Sequence, residues 1–171
     1  MAKVLIVVDM QNDFIDGALG TAEAVAIVPY VKSVIAAFDG KVLFTRDTHF
    51  DNYLQTQEGK HLPVPHCIQG THGWQIHPEL EALRTTEPID KVTFGSSALP
   101  QLLAKEEHLE SVTFLGLCTD ICVISNVMLT KAFFPELPVI VDAAGCAGVT
   151  PQSHKNALAA MKMCQVTIVN E

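Results

Sequence analysis

The chain has 171 residues, a formal net charge of −8 at pH 7 and a hydrophobic content of 49%. The length favours a single domain, 1–171, with a full core, and the negative charge argues against nucleic acids or anionic membranes as partners. No apolar stretch approaches the ~20 residues of a membrane span, and the five cysteines show no disulfide or metal-framework spacing. These features predict a cytoplasmic protein, and the hydrophobic content is typical of a covered parallel sheet or an oligomer.

Strands and helices alternate along the chain, without a linker, a repeat or a low-complexity tract. The predicted strands are short apolar runs: 3–8, 41–46, a run ending at Asp90, 112–117, 137–142 and 166–169. The predicted helices are 22–38, broken or started near Pro29, then 77–83, 99–107, the segment from Cys122 towards Pro135, and 150–163. This alternation predicts an α/β fold, a three-layer sandwich with a central, mainly parallel sheet.

Residues 47–77 form a long irregular segment rich in His, Gln, Gly and Pro. A loop of this length inside a compact domain is normally functional. Its Trp74, the single tryptophan of the chain, is predicted either to cover the mouth of a pocket or to pack in the core. The sequence leaves both interpretations of Trp74 open.

The sequence from 116 to 123, Gly-Leu-Cys-Thr-Asp-Ile-Cys-Val, joins an apolar strand to a helix. Thr119 and Asp120 have side chains that favour a helix start, so Cys122 is expected in the first helical turn. Unpaired N–H groups and the positive end of the helix dipole favour a thiolate there. Cys122 is therefore the candidate nucleophile, and the alternative is a small core residue.

Two further strand ends carry charged side chains. Asp9 follows the strand 3–8, and Lys91 follows Asp90. Because ligands bind at the carboxyl ends of parallel strands, Asp9, Lys91 and Cys122 are predicted to converge at one edge of the sheet. Taken singly, the aspartate could be a turn residue and the lysine a solvated side chain. Three reactive side chains at three strand ends favour a shared site.

These segments together resemble the isochorismatase-like superfamily of cysteine hydrolases, and its nicotinamidase-type amidases in particular. Asp-Met-Gln-Asn-Asp-Phe at 9–14 resembles the first motif of the family, Lys91 its middle lysine, and Gly-x-x-Thr-Asp-x-Cys-Val at 116–123 its nucleophile motif. The motifs occur in the family's order and spacing over essentially the whole chain.

The resemblance implies hydrolysis of a small amide, nicotinamide to nicotinate, through a thioester on Cys122. Asp9 would take the proton of the thiol, protonate the departing ammonia and activate a water molecule. Lys91 would keep the site positive, and the backbone N–H groups of Cys118 and Cys122 would hold the oxyanion. The resemblance also implies a cis peptide bond before Cys118 and a place for Phe14 in the substrate pocket.

A second group of residues predicts a divalent metal site. Asp47 and His49 are one residue apart, so in an extended chain they point the same way, and carboxylate with imidazole suits zinc, manganese or iron. The resemblance adds His66 to this group. It also implies a further ligand, for which Glu58 resembles one variant of the family and His61 is a competitor. The metal ion, zinc before manganese or iron, would orient the substrate.

Two differences from nicotinamidases concern the substrate. Residues 62–66, Leu-Pro-Val-Pro-His, lack the aromatic side chain that usually precedes the histidine, and Cys118 stands where alanine is usual. One alternative is therefore a hydrolase of another C–N bond, in a carbamoyl or ureido compound. The others are a catalytically idle binding paralogue and a thiol redox protein that uses Cys118 and Cys122. For the amidase we expect a small-molecule substrate and a homo-oligomer.

Overall fold

A computed structural model of the chain describes residues 2–171, and Met1 lies outside the described residues. Its strands are β1 (Ala2–Val8), β2 (Lys41–Asp47), β3 (Ile89–Lys91), β4 (Leu109–Leu117), β5 (Val139–Ala147) and β6 (Thr167–Val169). They form one six-stranded sheet in the order β3-β2-β1-β4-β5-β6, and every neighbouring pair is parallel. The sheet confirms the predicted α/β class.

Helices cover this sheet. They are α1 (Asn12–Ile15), α2 (Ala22–Ala37), α3 (Gln57–His61), α4 (Pro78–Glu81), α5 (Ala98–Leu103), α6 (Ile124–Phe133) and α7 (Pro151–Met163), with a 3₁₀ turn at Tyr53–Gln55 and a π-helical turn at Thr119–Val123. Helix α2 contacts α1 and α4, whereas α6 contacts α5 and α7. The helices therefore form two groups, as expected for the predicted three-layer sandwich. Within residues 2–171, no helix has the length and apolar character needed to cross a membrane.

The central strands are apolar without alternation because helices cover the sheet on both faces. Residues 4–8 of β1 are completely buried, and β4 is buried from Phe114 onwards. Parallel strands covered on both sides have this continuous pattern. One hydrophobic core includes side chains from the strands and from both groups of helices.

Several predicted boundaries differ from the observed ones. The expected break at Pro29 does not occur, because α2 continues through it. Pro29 removes a backbone donor from the helix, but the buried Val28 and Val31 beside it pack in the core and offset that loss. The segment 47–77 contains α3 and the 3₁₀ turn and is not wholly irregular, and the helix predicted at 99–107 ends at Leu103.

The order of the strands reverses between β1 and β4, and this switch point is where open α/β sheets bind ligands. Asp9 follows β1 and has a φ of 46°, and Gly116 lies near the end of β4 with a φ of 119°. A Cβ atom on Gly116 would lie 2.2 Å from the Val8 carbonyl oxygen. Glycine at position 116 therefore allows the carboxyl ends of β1 and β4 to approach closely at the switch point.

Candidate active site

The three side chains predicted to converge lie together at the carboxyl ends of β1, β3 and β4. Lys91 Nζ lies 2.7 Å from Asp9 Oδ2 and 3.5 Å from Cys122 Sγ. Asp9 is fully buried, and Lys91 and Cys122 are each 4% exposed. The interpretation of Lys91 as a solvated side chain is therefore wrong.

Hydrogen bonds to neighbouring residues fix the side chains of Asp9 and Lys91. Asp9 Oδ1 accepts a hydrogen bond from the Thr45 hydroxyl at 2.7 Å, and the Asp9 N–H donates to the Thr45 carbonyl at 3.2 Å. Lys91 Nζ donates to the Thr93 carbonyl at 3.0 Å and lies 3.3 Å from Asp47 Oδ1. The side chains of Asp9 and Lys91 are buried and partnered, so the arrangement is preformed.

Burial determines the charge state of the thiol. It raises the pKa of Cys122 well above its ordinary value, and the negative charge of Asp9 raises it further, against the opposing effect of Lys91. Burial also raises the pKa of the Asp9 carboxyl. This environment disfavours the predicted resting thiolate, and Asp9 is the adjacent group able to accept the proton of Cys122.

Burial alone would lower the pKa of Lys91, but Asp9, Cys122 and Asp47 raise it above its ordinary value. Lys91 therefore keeps its charge at every pH at which the fold is expected to work. The positive charge of Lys91 lies against the buried carboxylates of Asp9 and Asp47. These two negative charges largely offset the effect of Lys91 on the pKa of the thiol.

The backbone at Cys118 combines a cis peptide bond with an N–H group that has no acceptor among the described residues. The peptide bond between Leu117 and Cys118 is cis, which confirms the expectation from the resemblance. The N–H groups of Ile121 and Val123 both donate to the Cys118 carbonyl. The N–H of Cys118 itself donates to no acceptor among residues 2–171. It is therefore available to a ligand beside Cys122.

The structure brings together the four predicted metal ligands, Asp47, His49, Glu58 and His66, and one ligand atom from each lies within 4.8 Å of the others. His49 Nε2 lies 2.9 Å from Asp47 Oδ2, and His66 Nε2 lies 3.5 Å from Glu58 Oε1. His61 lies outside this group, because it is exposed and its Nδ1 donates to the Gln57 carbonyl. The geometry favours Glu58 over His61.

The donor set fits a divalent metal ion. His66 Nδ1 lies 2.8 Å from the Val64 carbonyl, which can only accept, so the proton of the neutral ring is on Nδ1 and Nε2 is free to bind a metal. Burial alone would raise the pKa of Asp47, but the hydrogen bond from His49 and the charge of Lys91 hold it below its ordinary value. Two imidazoles and two carboxylates, one of them held ionised, suit zinc, manganese or iron.

The cysteine and the metal ligands line one open cavity of about 620 Å³. Phe14 lines it beside His66, with 5.4 Å between the ring centroids, and the partly exposed Leu62 and Phe94 form apolar parts of its wall. Trp74 does not line this cavity. It packs against the core elsewhere, and its Nε1 donates to Thr48.

Sequence reasoning did not assign a role to two buried amides in the site. Gln11 forms two hydrogen bonds with the main chain of Asp47. Asn126 donates to the Cys122 carbonyl at 2.8 Å and accepts the Ser96 N–H at 2.9 Å, so it joins the cysteine turn to the loop after Lys91. Gln11 could have been found from the sequence, because it lies inside the motif at residues 9–14. No local sequence pattern identifies Asn126.

A parallel sheet with a buried titratable cluster at its switch point is the arrangement of an α/β enzyme that binds its ligand at the strand ends. Residues 3–171 match the family model described as Isochorismatase domain, and the chain belongs to this family.

Relatives match the chain over most of its length. It is 29% identical to the nicotinamidase/pyrazinamidase of Mycobacterium tuberculosis over 98% of both chains. It is 30% identical to the nicotinamidase of Acinetobacter baylyi over 81% of this chain and 79% of the relative. The crystal structure of the pyrazinamidase of Pyrococcus horikoshii in complex with zinc superposes with a TM-score of 0.83, with 26% identity over the full length of both chains.

Proposed function

We propose that the chain is an amidohydrolase that converts nicotinamide to nicotinate and ammonia through a thioester on Cys122. The observation that carries the proposal is the buried contact of Lys91 with Asp9 and with Cys122, whose side chain lines the same cavity as a carboxylate–imidazole cluster. The names of the relatives, nicotinamidase and pyrazinamidase, supply the substrate class.

In the first half of the reaction, Asp9 accepts the proton of the Cys122 thiol while the sulfur attacks the amide carbonyl. The raised pKa of Asp9 makes it a stronger base than an ordinary carboxylate, and Lys91 keeps the triad in place during the transfer. The free N–H of Cys118, together with that of Cys122, holds the oxyanion as it forms.

In the second half, Asp9 returns the proton to the departing nitrogen, and ammonia leaves behind a thioester on Cys122. Asp9 then takes a proton from a water molecule as the water oxygen attacks the thioester carbonyl. The carbon–sulfur bond breaks, Asp9 returns the proton to the Cys122 sulfur, and the acid is released. The permanent charge of Lys91 favours the ionised form of Asp9 each time the carboxylate must act as a base.

Asp47, His49, Glu58 and His66 would hold the metal ion, which we propose to be zinc because the Pyrococcus horikoshii relative was solved in complex with zinc. When bound, the ion supplies a Lewis acid that can hold the ring nitrogen of the substrate. The protein's own contribution is to orient that ring, for which Phe14 provides an apolar face beside His66.

The wall of the cavity favours an apolar acyl group. Leu62, Val92 and Phe94 line the cavity and are all exposed. This wall argues against the polar carbamoyl or ureido substrates of the alternative hydrolase, and the complete triad argues against an idle paralogue. A cavity of 620 Å³ lies within the range of small-molecule sites, so bulkier aromatic amides are also candidates.

Ammonia release from nicotinamide, pyrazinamide and a ureido compound tests the proposal. The wild-type protein loaded with zinc should release ammonia from the first two, and Cys122→Ala should lower kcat by at least about a thousandfold. Cys118→Ala is the matched control and should keep most of the activity, because only its N–H is used. Equal losses in both variants, or no release from any amide by the wild type, would refute the proposal.

We also propose a single domain, 1–171, that acts in the cytoplasm as a homo-oligomer on a small-molecule amide. The shared hydrophobic core supports one domain, and the hydrophobic content of 49% supports association. Sedimentation velocity would give the oligomeric state, and a monomer at micromolar concentration would refute that part of the proposal.

A further inference from the structure

Gln11 belongs neither to the triad nor to the metal ligands, yet it is fully buried next to both. Its amide nitrogen donates to the Asp47 carbonyl at 2.8 Å, and its amide oxygen accepts the Asp47 N–H at 2.7 Å. The same nitrogen donates to the Trp74 carbonyl at 2.8 Å. One side chain therefore satisfies both main-chain polar groups of Asp47.

The sheet alone does not hold Asp47 on this side. Strand β1 pairs with β2 only as far as Phe44, whereas on the other side Asp47 pairs with Lys91 of β3. The amide of Gln11 thus takes the place of a neighbouring strand beyond the end of the β1–β2 ladder. Without it, two buried main-chain groups of Asp47 would lose their partners, and the end of β2 would be free to move.

The orientation of Asp47 matters because its two carboxylate oxygens face different groups. Oδ2 lies 2.9 Å from His49 Nε2 and 3.7 Å from His66 Nε2, and Oδ1 lies 3.3 Å from Lys91 Nζ. A rotation of the main chain at Asp47 would therefore displace a metal ligand and at the same time alter the contact with the lysine of the triad.

We propose that Gln11 is a positioning residue of the metal site, which fixes the main chain of Asp47 so that one carboxylate oxygen faces the metal ligands and the other faces Lys91. The inference rests on the metal site of the proposed function. The N–H of Gln11 donates to the Asp9 carbonyl at 2.8 Å, so the same short segment also places the catalytic base. Gln11 acts through Asp47 and touches no reacting atom.

The dissociation constant of zinc, measured by competition with a chromophoric chelator on the full metal-free chain, tests this role. Gln11→Met removes all three side-chain hydrogen bonds, two to Asp47 and one to the Trp74 carbonyl, without adding a charge. Its matched control is Asn12→Leu, which removes the neighbouring buried amide, bonded to the His72 carbonyl and to no ligand. Gln11→Met should weaken zinc binding about 10- to 100-fold, and Asn12→Leu by less than about threefold. Gln11→Glu keeps an acceptor for the Asp47 N–H and should show an intermediate loss.

The outcomes separate this inference from the proposed function. A wild-type chain that binds no zinc would refute the metal site itself. Wild-type affinity in a folded Gln11→Met variant, or an equal loss in Asn12→Leu, would refute the positioning role alone. If neither Gln11 variant folds, with or without zinc, the amide is needed for folding itself, and this result would also overturn the inference.

Discussion

At the scale of single residues, the balance of charge around Lys91 decides how the cysteine works. Lys91 Nζ contacts a carboxylate oxygen of Asp9 and of Asp47 as well as the sulfur of Cys122. Its field is shared between two anions, so burial and the charge of Asp9 outweigh its stabilisation of a thiolate at Cys122. In the proposed reaction, Asp9 therefore takes the proton of the thiol during the attack, a step that a resting thiolate would not require.

This charge balance predicts the pH dependence of alkylation at Cys122. The raised pKa of the thiol should keep labelling by iodoacetamide slow at neutral pH, with a midpoint above the ~8.5 of a free thiol. Asp9→Asn removes the nearest negative charge and leaves Lys91 in place, so the midpoint should move to lower pH. Hydrolysis should nevertheless collapse in this variant, because the proton acceptor is lost. Mass spectrometry of the peptide that contains Cys122 measures the labelling.

The exposed Cys164 provides an internal control in the same digest, because it lies outside the cavity and its labelling profile should be the same in both proteins. A wild-type midpoint at or below ~8.5 at Cys122 would restore the resting thiolate. An unchanged midpoint in Asp9→Asn would show that the carboxylate does not act on the thiol.

The identity of the three reactive residues could be predicted from the sequence, but the protonation state of Cys122 could not. The motifs identified Asp9, Lys91 and Cys122, because their residue types and their places at strand ends are local features. The protonation state of the thiol depends on burial and on the distance to Asp9, which no local pattern contains. Those features of the folded chain disfavour the predicted thiolate, although the residue itself was placed correctly.

At the scale of secondary structure, the convergence of strand ends was predictable and the shape of the connecting turns was not. Parallel strands bring their carboxyl ends to one edge, so the meeting of residues after β1, β3 and β4 follows from strand prediction alone. The π-helical turn at Thr119–Val123 and the helix α3 that carries Glu58 depend on contacts with distant segments. Sequence therefore suggested Glu58 as a ligand but could not separate it from His61.

The close approach of β1 and β4 gives a prediction about Gly116. In Gly116→Ala the new Cβ would clash with the Val8 carbonyl oxygen at 2.2 Å, in addition to the cost of a positive φ. We expect the free energy of unfolding to fall by more than about 3 kcal/mol, since backbone must shift and the positive φ itself costs about 1 kcal/mol or more. Urea denaturation followed by circular dichroism measures this change.

Gly70→Ala is the matched control, because Gly70 also has a positive φ, 84°, but a Cβ atom added there would have no neighbouring atom within 4 Å. The free energy of unfolding of this variant should fall by only about 1 kcal/mol, which is the cost of the positive φ alone. Equal losses in the two variants would show that the close approach of the strands is not the cause.

At the scale of the whole molecule, the candidate site joins segments that are distant in the sequence. Asp9 and Cys122 come from either side of the switch point, whereas the candidate metal ligands come from the end of β2 and from the connection between β2 and β3. Composition and motifs predicted both groups, but the link between them through Gln11 and Asp47 is a property of the folded chain. It arises where the β1–β2 ladder stops, which only the register of the sheet reveals.

The grouping of Asp47, His49, Glu58 and His66 from separate segments predicts that metal binding and folding are linked. Because the four ligands meet only in the folded chain, zinc at a thousand times its dissociation constant should add about 4 kcal/mol to the free energy of unfolding. For a chain of this size, that corresponds to a rise in Tm of roughly 8–16 °C, which a chelator should reverse.

Glu58→Gln should lose most of the zinc-dependent rise in Tm, because a neutral amide replaces a carboxylate ligand. The exposed Glu136→Gln is the matched control and should keep it in full. Differential scanning calorimetry with and without zinc measures both, and an equal rise in the two variants would remove Glu58 from the ligand set.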